Sequence, residues 1–473
     1  MVAVLGLAFV LRVPLLSGPR FLPDEALFAS FARAIAVWRD PLLAAAPVDK
    51  PPLLYYIQAL CYPFLGPKEM AARLPNLFAS LLTVALTFRV TRGLSRSTQN
   101  LSPLLAAILV ALSPLAVAFG STAFTDPLMV AWGMGALLAA SGGRAGRAGL
   151  CLGLGLATKY QAALFLPLIA GTLWLAPSRE TGRRGLSAWA RFGGGALVPV
   201  AAVAVWELVR SDGFSLLGTQ LAAYGGVRLL LPGEFAPRLA EWAALARYVT
   251  TPPWIGATLL ALLLPWFLIQ RRESVAAATG LLLGAWLGTY LLLHWLLNIN
   301  AWDRYLLPLV PVTAILLGWS AGELALQFLP RLTHPVLTVL LGFLLLPAAL
   351  QATGGAFPIG GDHGSYDGIE QVADYFADSP YGTVLYDHWL SWELRYYLFD
   401  SRVYVSWFPD AAALVRDLQA FGAKPPRYLV VPAWEDASPI VQDARAAGFA
   451  LHPVFRATRS DSTSSFIVYT ITH

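Results

Sequence analysis

The residues best suited to chemistry are ionisable groups at the edges of apolar runs. Asp24-Glu25 follows the first apolar run, and Asp49-Lys50-Pro51-Pro52 and Tyr55 come shortly after. Further along stand Asp126-Pro127, Thr158-Lys159-Tyr160 and Trp302-Asp303-Arg304-Tyr305. Charges at the rim of a membrane helix are costly to place and usually mark a site. A carboxylate such as Asp24 or Glu25 can take the proton of an attacking hydroxyl. Cations such as Lys50, Lys159 and Arg304 can stabilise negative charge growing on a departing group. Each residue also has a structural reading. Asp24-Glu25 and Asp126-Pro127 suit helix starts. Lys50, Lys159 and Arg304 suit interfacial anchors, and Arg304 could pair with Asp303. His294, alone on a helix, reads as structural.

The elements that must position these groups are membrane helices. Of 473 residues, 57% are hydrophobic and 13% charged, whereas a soluble domain carries about 25% charge. Apolar runs occupy 2–16, 74–90, 101–119, 128–140, 150–157, 162–176, 193–209, 253–269, 275–297, 305–324 and 335–350. Lipid satisfies no open backbone groups, so each run predicts a helix, about eleven segments in all. The net charge of +5 sits in short basic loops and does not indicate nucleic-acid binding. Arg89, Arg92 and Arg96, then Arg144 and Arg147, then Arg179, Arg183, Arg184 and Arg191, then Arg271 and Arg272, then Arg331 all fall on one side if every run crosses. That side is expected to be cytoplasmic. Asp24, Glu25, Asp49, Lys50, Asp126, Lys159, Asp303 and Arg304 then share the outer face. Cys61 and Cys151 fall on opposite faces, so no disulfide is expected. The first run lacks a basic start and a cleavage site, and reads as a retained span.

Two outer loops are long. In 17–73, residues 26–37 suit an amphipathic interfacial helix. The second, 211–250, carries Tyr224, Trp242 and Tyr248 and suits a membrane-interface lid. After about residue 354 the pattern changes. Residues 383–387, 402–405, 427–431 and 466–471 read as strands, and 392–398, 411–420 and 439–447 as helices. The expected organisation is a transmembrane catalytic domain over 1–353 and a small extracytoplasmic α/β domain over 354–473.

Leu22-Pro23-Asp24-Glu25-Ala26, Asp49-Lys50-Pro51-Pro52-Leu53-Leu54-Tyr55-Tyr56 and Ala71-Ala72-Arg73-Leu74-Pro75 resemble the start of the polytopic glycosyltransferases of the protein O-mannosyltransferase and aminoarabinose-transferase type, families 39 and 83. Thr158-Lys159 and Arg304-Tyr305-Leu306-Leu307-Pro308 match further family patterns, although Tyr160 stands where a glycine is usual. The resemblance implies a mainly α GT-C membrane fold and inverting transfer of a sugar from a polyprenyl-phosphate carrier to a hydroxyl acceptor. It implies Asp24 as base with Glu25 as its neighbour, and Lys50 near the donor phosphate with Asp49 as a partner. It implies a supporting role for Asp126, such as orienting the acceptor or a cation. Tyr55, Lys159 and Arg304 complete the expected substrate site.

No cofactor is called for, although Asp24, Glu25 and Asp126 could form an oxygen-rich divalent-cation site. Zinc-type His/Cys spacing and the dinucleotide glycine fingerprint are absent from the sequence. The expected partners are the polyprenyl-phosphate sugar, a lipid, glycan or protein hydroxyl, and membrane lipid. The expected location is a bacterial inner or plasma membrane. A flippase of lipid-linked sugar would spread charges through the bilayer depth and show paired repeats. A non-catalytic membrane protein with a binding domain is the other alternative.

Overall fold

The computed structural model describes residues 1–95, 101–176, 186–210, 216, 218, 226–250, 252–270, 274–330 and 333–473. Arg96, Arg179, Arg183, Arg184, Tyr224, Arg271, Arg272 and Arg331 lie outside the described residues. The chain forms two compact units. One comprises Met1–Leu16 and Ala34–Gly360, the other Ser17–Arg33 and Gly361–His473.

The first unit is helical. Five described helices are long and apolar enough to cross a membrane: Glu69–Leu94, Leu186–Arg210, Val275–Leu296, Asp303–Phe328 and Pro335–Thr353. Ser102–Ala111 and Pro114–Gly120, bent by 56°, make a sixth if counted as one broken span. The remaining expected segments correspond to shorter helices, among them Ala145–Leu156 and Asp126–Ser141. Leu197, Val198 and Leu208 expose more than half of their surface, as residues facing lipid would.

The broken span shows how backbone groups are satisfied without water. Pro114 cannot donate to the preceding turn, so carbonyls at the end of Ser102–Ala111 need another partner. The fully buried Arg12 supplies it, donating to Ala111 O at 3.0 Å and Val110 O at 3.3 Å. Arg12 also donates to Ser80 Oγ at 2.8 Å and Ala8 O at 3.1 Å. Elsewhere, glycines let helices touch through their backbones. A Cβ on Gly149 would sit 1.9 Å from Phe192 O, and one on Gly153 2.5 Å from Ala196 O. These contacts join Ala145–Leu156 to Leu186–Arg210.

The second unit holds a five-stranded sheet, β1 (Val384–Asp387), β2 (Tyr404–Trp407), β3 (Arg427–Pro432), β4 (Ala450–Thr458) and β5 (Ser464–Thr472), in the order β2-β1-β3-β5-β4. β1 pairs in parallel with β2 and β3, while β5 is antiparallel to β3 and β4. Alternate side chains face opposite sides of a strand. Leu385 and Val430 therefore join Ile369, Val372 and Leu394 in one core, while Tyr386, Leu429 and Val431 join Leu414, Leu418 and Ile440 in another.

Residues 23–33 of the helix Pro23–Ala36 belong to this unit. The helix buries Phe28, Phe31, Ala32 and Arg33. Arg33 ion-pairs with Asp400 and donates to Tyr396 O at 2.8 Å. Phe21 meets the Tyr396 ring edge-on at 4.8 Å, and Arg20 pairs with Glu370 at 3.0 Å. Its apolar stripe is thus a packing face for protein.

Candidate active site

In the first unit, the Lys50 and Lys159 segments are tied through the backbone. Pro51-Pro52 follows Lys50, and the helix Leu53–Ala59 begins at once with Pro52 at its N-cap. The amide of Leu53 donates to Ala157 O at 3.1 Å, two residues before Lys159. Lys50 is buried and paired with Asp49. Tyr55, on the same helix, is fully buried. Its neighbour Tyr56 donates to Pro41 O at 2.8 Å and accepts from Trp206 Nε1 at 2.8 Å.

Lys159 does not snorkel to an interface. It is 4% exposed, and its Nζ lies 2.6 Å from Oδ1 of the buried Asp126. Asp126 is the first residue of the helix Asp126–Ser141 but does not cap it: Thr125 holds the N-cap position, and the Asp126 carboxylate is the counter-ion of Lys159. Two amides on neighbouring elements hold the turn before it. Asn76 Nδ2 donates to Thr122 O and Phe124 O, both at 2.6 Å, and Gln58 Nε2 reaches Ala123 O at 3.4 Å.

Arg304 lies in a 3-10 turn, Asp303–Leu306. Its guanidinium sits 4.5 Å from the centroid of the Phe124 ring. The Asp303 carboxylate accepts from the backbone, from Arg304 N at 2.8 Å and Gly360 N at 3.0 Å, so it braces the turn. The Tyr305 ring lies under Lys159 Nζ at 4.4 Å. Burial pushes the Lys159 ammonium down to about 8. Asp126 opposes that effect, and the like charges of Arg304 and Lys50 reinforce it. Cations from two other segments therefore act on Lys159, with Asp126 as its carboxylate partner and Asp49 as that of Lys50. Such a cluster costs folding energy unless an anion repays it.

In the second unit, Asp24 and Glu25 occupy the first turn of Pro23–Ala36. Glu25 is 1% exposed, and its Oε2 accepts from Leu22 N at 3.2 Å. That bond is a helix-start contact, in line with the capping reading. Near Asp24 stands Glu393, 1% exposed on the helix Ser391–Tyr397. Burial pushes the Glu393 carboxyl up to about 8, and the charges of Asp387 and Asp24 act in the same direction. Glu393 is thus a neutral acid at neutral pH. Among the described residues, no group of three or more His, Cys, Asp or Glu side chains could hold a metal ion.

Sequence reasoning did not single out Gln58, Asn76, Phe124, Gln161, Tyr290 or Glu393. Asn76 had a signal, being a neutral amide inside an apolar run. The others gain meaning only from their partners.

Residues 49–206 match the family described as dolichyl-phosphate-mannose-protein mannosyltransferase. That stretch contains Lys50, Asp126 and Lys159. The undecaprenyl phosphate-alpha-4-amino-4-deoxy-L-arabinose arabinosyl transferase of Edwardsiella ictaluri is 29% identical over 194 residues, 37% of this chain. The match spans 35% of that relative's length. In structure, ArnT from Cupriavidus metallidurans in the apo state gives a TM-score of 0.64 at 16% identity, over 99% of this chain and 97% of that one. The same protein bound to undecaprenyl phosphate gives the same values. The oligosaccharyltransferase of Archaeoglobus fulgidus gives 0.53 at 12% identity, over 91% and 69%. The chain has the fold of these proteins and is similar to GT-C glycosyltransferases of the family 39 and 83 type.

Proposed function

We propose that this chain, with its GT-C fold, is an inverting glycosyltransferase. It moves a sugar from a polyprenyl-phosphate carrier to a hydroxyl of a lipid, glycan or protein on the extracytoplasmic side of a bacterial membrane. The observation that carries the reading is geometric: buried Lys159 lies 4.4 Å from the ring of Tyr305, next to Arg304, and the segment of Lys50 is tied by the Leu53 amide to Ala157 O, two residues before Lys159. The relative bound to undecaprenyl phosphate supports the donor class.

In the proposed step the acceptor hydroxyl oxygen attacks the anomeric carbon. The bond from that carbon to the phosphate oxygen breaks, and its electron pair leaves with the phosphate. The donor phosphodiester becomes a phosphomonoester and gains one negative charge. Lys50, Lys159 and Arg304 stabilise that charge, so they bind the transition state more strongly than the ground state. Asp24 accepts the hydroxyl proton. Asp49 and Asp126 hold the lysines in place, and Glu25 fixes the start of the helix that carries Asp24.

Mass spectrometry of the cell envelope tests this reading. A deletion strain is expected to lose a sugar substituent that returns with the wild-type chain and stays absent with Asp24→Asn. An envelope unchanged by the deletion contradicts the proposal.

A further inference from the structure

Behind Lys159 and Arg304, three side chains form a hydrogen-bonded bracket. Tyr290 and His294 sit one turn apart on the helix Ser274–Leu296, 2% and 3% exposed. Gln161 lies two residues past Lys159, in the 3-10 turn Tyr160–Phe165. Tyr290 Oη is 2.6 Å from Tyr305 O. A carbonyl only accepts, so Tyr290 donates there. Its oxygen is then left to accept, and Gln161 Nε2 donates to it. His294 Nδ1 is 2.9 Å from Tyr290 O, so Nδ1 carries the ring proton. His294 Nε2 is then a bare acceptor for Gln161 Nε2 at 3.2 Å. Rotating the Gln161 amide would set an oxygen against two acceptors, so these partners fix both its orientation and the histidine tautomer.

The bracket joins the two cation-bearing turns. One arm starts two residues after Lys159, and the other ends on the carbonyl of the residue after Arg304. Stacking of Tyr290 on His294, with centroids 4.3 Å apart, and a T-shaped contact between Trp242 and His294, with centroids 5.3 Å apart, hold the frame. Arg238 Nη2 donates to His294 O at 3.2 Å. Like charges repel, and Lys159 and Arg304 keep their spacing only if rigid elements enforce it.

We propose that Gln161, Tyr290 and His294 are positioning residues that set the separation of Lys159 and Arg304, and with it the fit of the site to the phosphate of a lipid-linked donor. This rests on the phosphate reading of the two cations. None of the three touches the reacting atoms in this scheme, so their effect passes through Lys159 and Arg304.

The test uses the full chain in detergent, with synthetic undecaprenyl-phosphate pentose and hexose donors and membranes of the deletion strain as acceptor source. Release of undecaprenyl phosphate reads turnover, and binding of undecaprenyl phosphate is measured separately. Tyr290→Phe and Gln161→Glu are each made alone and with Arg304→Ala. Gln161→Glu keeps the size but loses the N–H donors, and it reads the bracket from the other segment should Tyr290→Phe not fold. Each single variant is expected to lower kcat of the folded enzyme about tenfold. On the Arg304→Ala background the same change is expected to cost less than about threefold, because coupled residues do not add. Equal losses on both backgrounds, or no loss on either, overturn the bracket. Wild-type turnover and binding for Arg304→Ala instead overturn the phosphate reading, and the bracket's purpose with it.

Discussion

Lys159 Nζ and Asp126 Oδ1 form a buried ion pair at 2.6 Å, with both side chains nearly removed from solvent. Buried pairs rarely repay their own desolvation, and breaking one by removing a partner commonly costs about 3–5 kcal/mol. Here the loss has a ceiling, because burial already depresses Lys159 to about 8 and the amine can shed its proton. Asp126→Asn is therefore expected to lower the melting temperature of the detergent-solubilised chain more than the pair Asp126→Leu with Lys159→Met. A double variant less stable than the single one contradicts this account of the pair.

The two neighbouring acids of the first turn should separate by role. Asp24→Asn removes the proposed proton acceptor, and turnover should fall by about a hundredfold or more. Glu25→Gln keeps an oxygen that can accept from Leu22 N–H, so its loss should stay within about tenfold. The rates of release of undecaprenyl phosphate from a synthetic donor separate the two. Near-normal turnover in Asp24→Asn makes Asp24 a cap.

Glu393 sets a pH signature in the second unit. Its folded value is about 8 against an ordinary 4.5, chiefly through burial. Between those values the folded state holds a proton that the unfolded state has lost. Stability from this group is complete below about pH 4.5 and is lost as the pH rises through about 8. At about 1.4 kcal/mol per pH unit, the swing is a few kcal/mol. Proteolysis of the C-terminal unit in the full chain should accelerate across that window, and Glu393→Gln should flatten the rise. An unchanged profile in Glu393→Gln assigns the window to another group.

Sidedness is open to labelling. Arg147 is exposed in the first turn of the helix Ala145–Leu156, on the side expected to be cytoplasmic, and Glu435 is exposed just after β3. Arg147→Cys and Glu435→Cys should react with impermeant reagent from opposite faces of the membrane. Labelling of both from outside overturns the charge-based orientation.

How much of this was legible follows from the residues. Lys50-Pro51-Pro52 and Asp126-Pro127 stood out because charge is rare beside apolar runs and proline fixes where a helix starts. Three strands of the parallel group and the terminal strand read directly from β-branched and aromatic runs. β4 did not, because Pro453 interrupts its pattern. It sits at the sheet edge beside a register shift, where proline is tolerated. The stripe on Pro23–Ala36 was real, but periodicity cannot say whether lipid or protein covers it. Arg12, Asn76 and Gln161 were illegible in role. Their partners are backbone carbonyls or distant rings brought near only by folding.

The cation cluster is the centre of the proposed function, and Lys50→Ala beside Arg304→Ala tests it most directly. The measurement is steady-state transfer from a synthetic polyprenyl-phosphate sugar, with donor affinity determined separately. Each variant should lose about tenfold or more in turnover while donor binding weakens less, since the charge they meet grows as the glycosidic bond breaks. Lys50→Arg should rescue poorly, because a planar guanidinium does not replace a compact ammonium paired with Asp49. If both alanine variants keep wild-type turnover and donor affinity, the two cations serve the fold and the phosphate is held elsewhere.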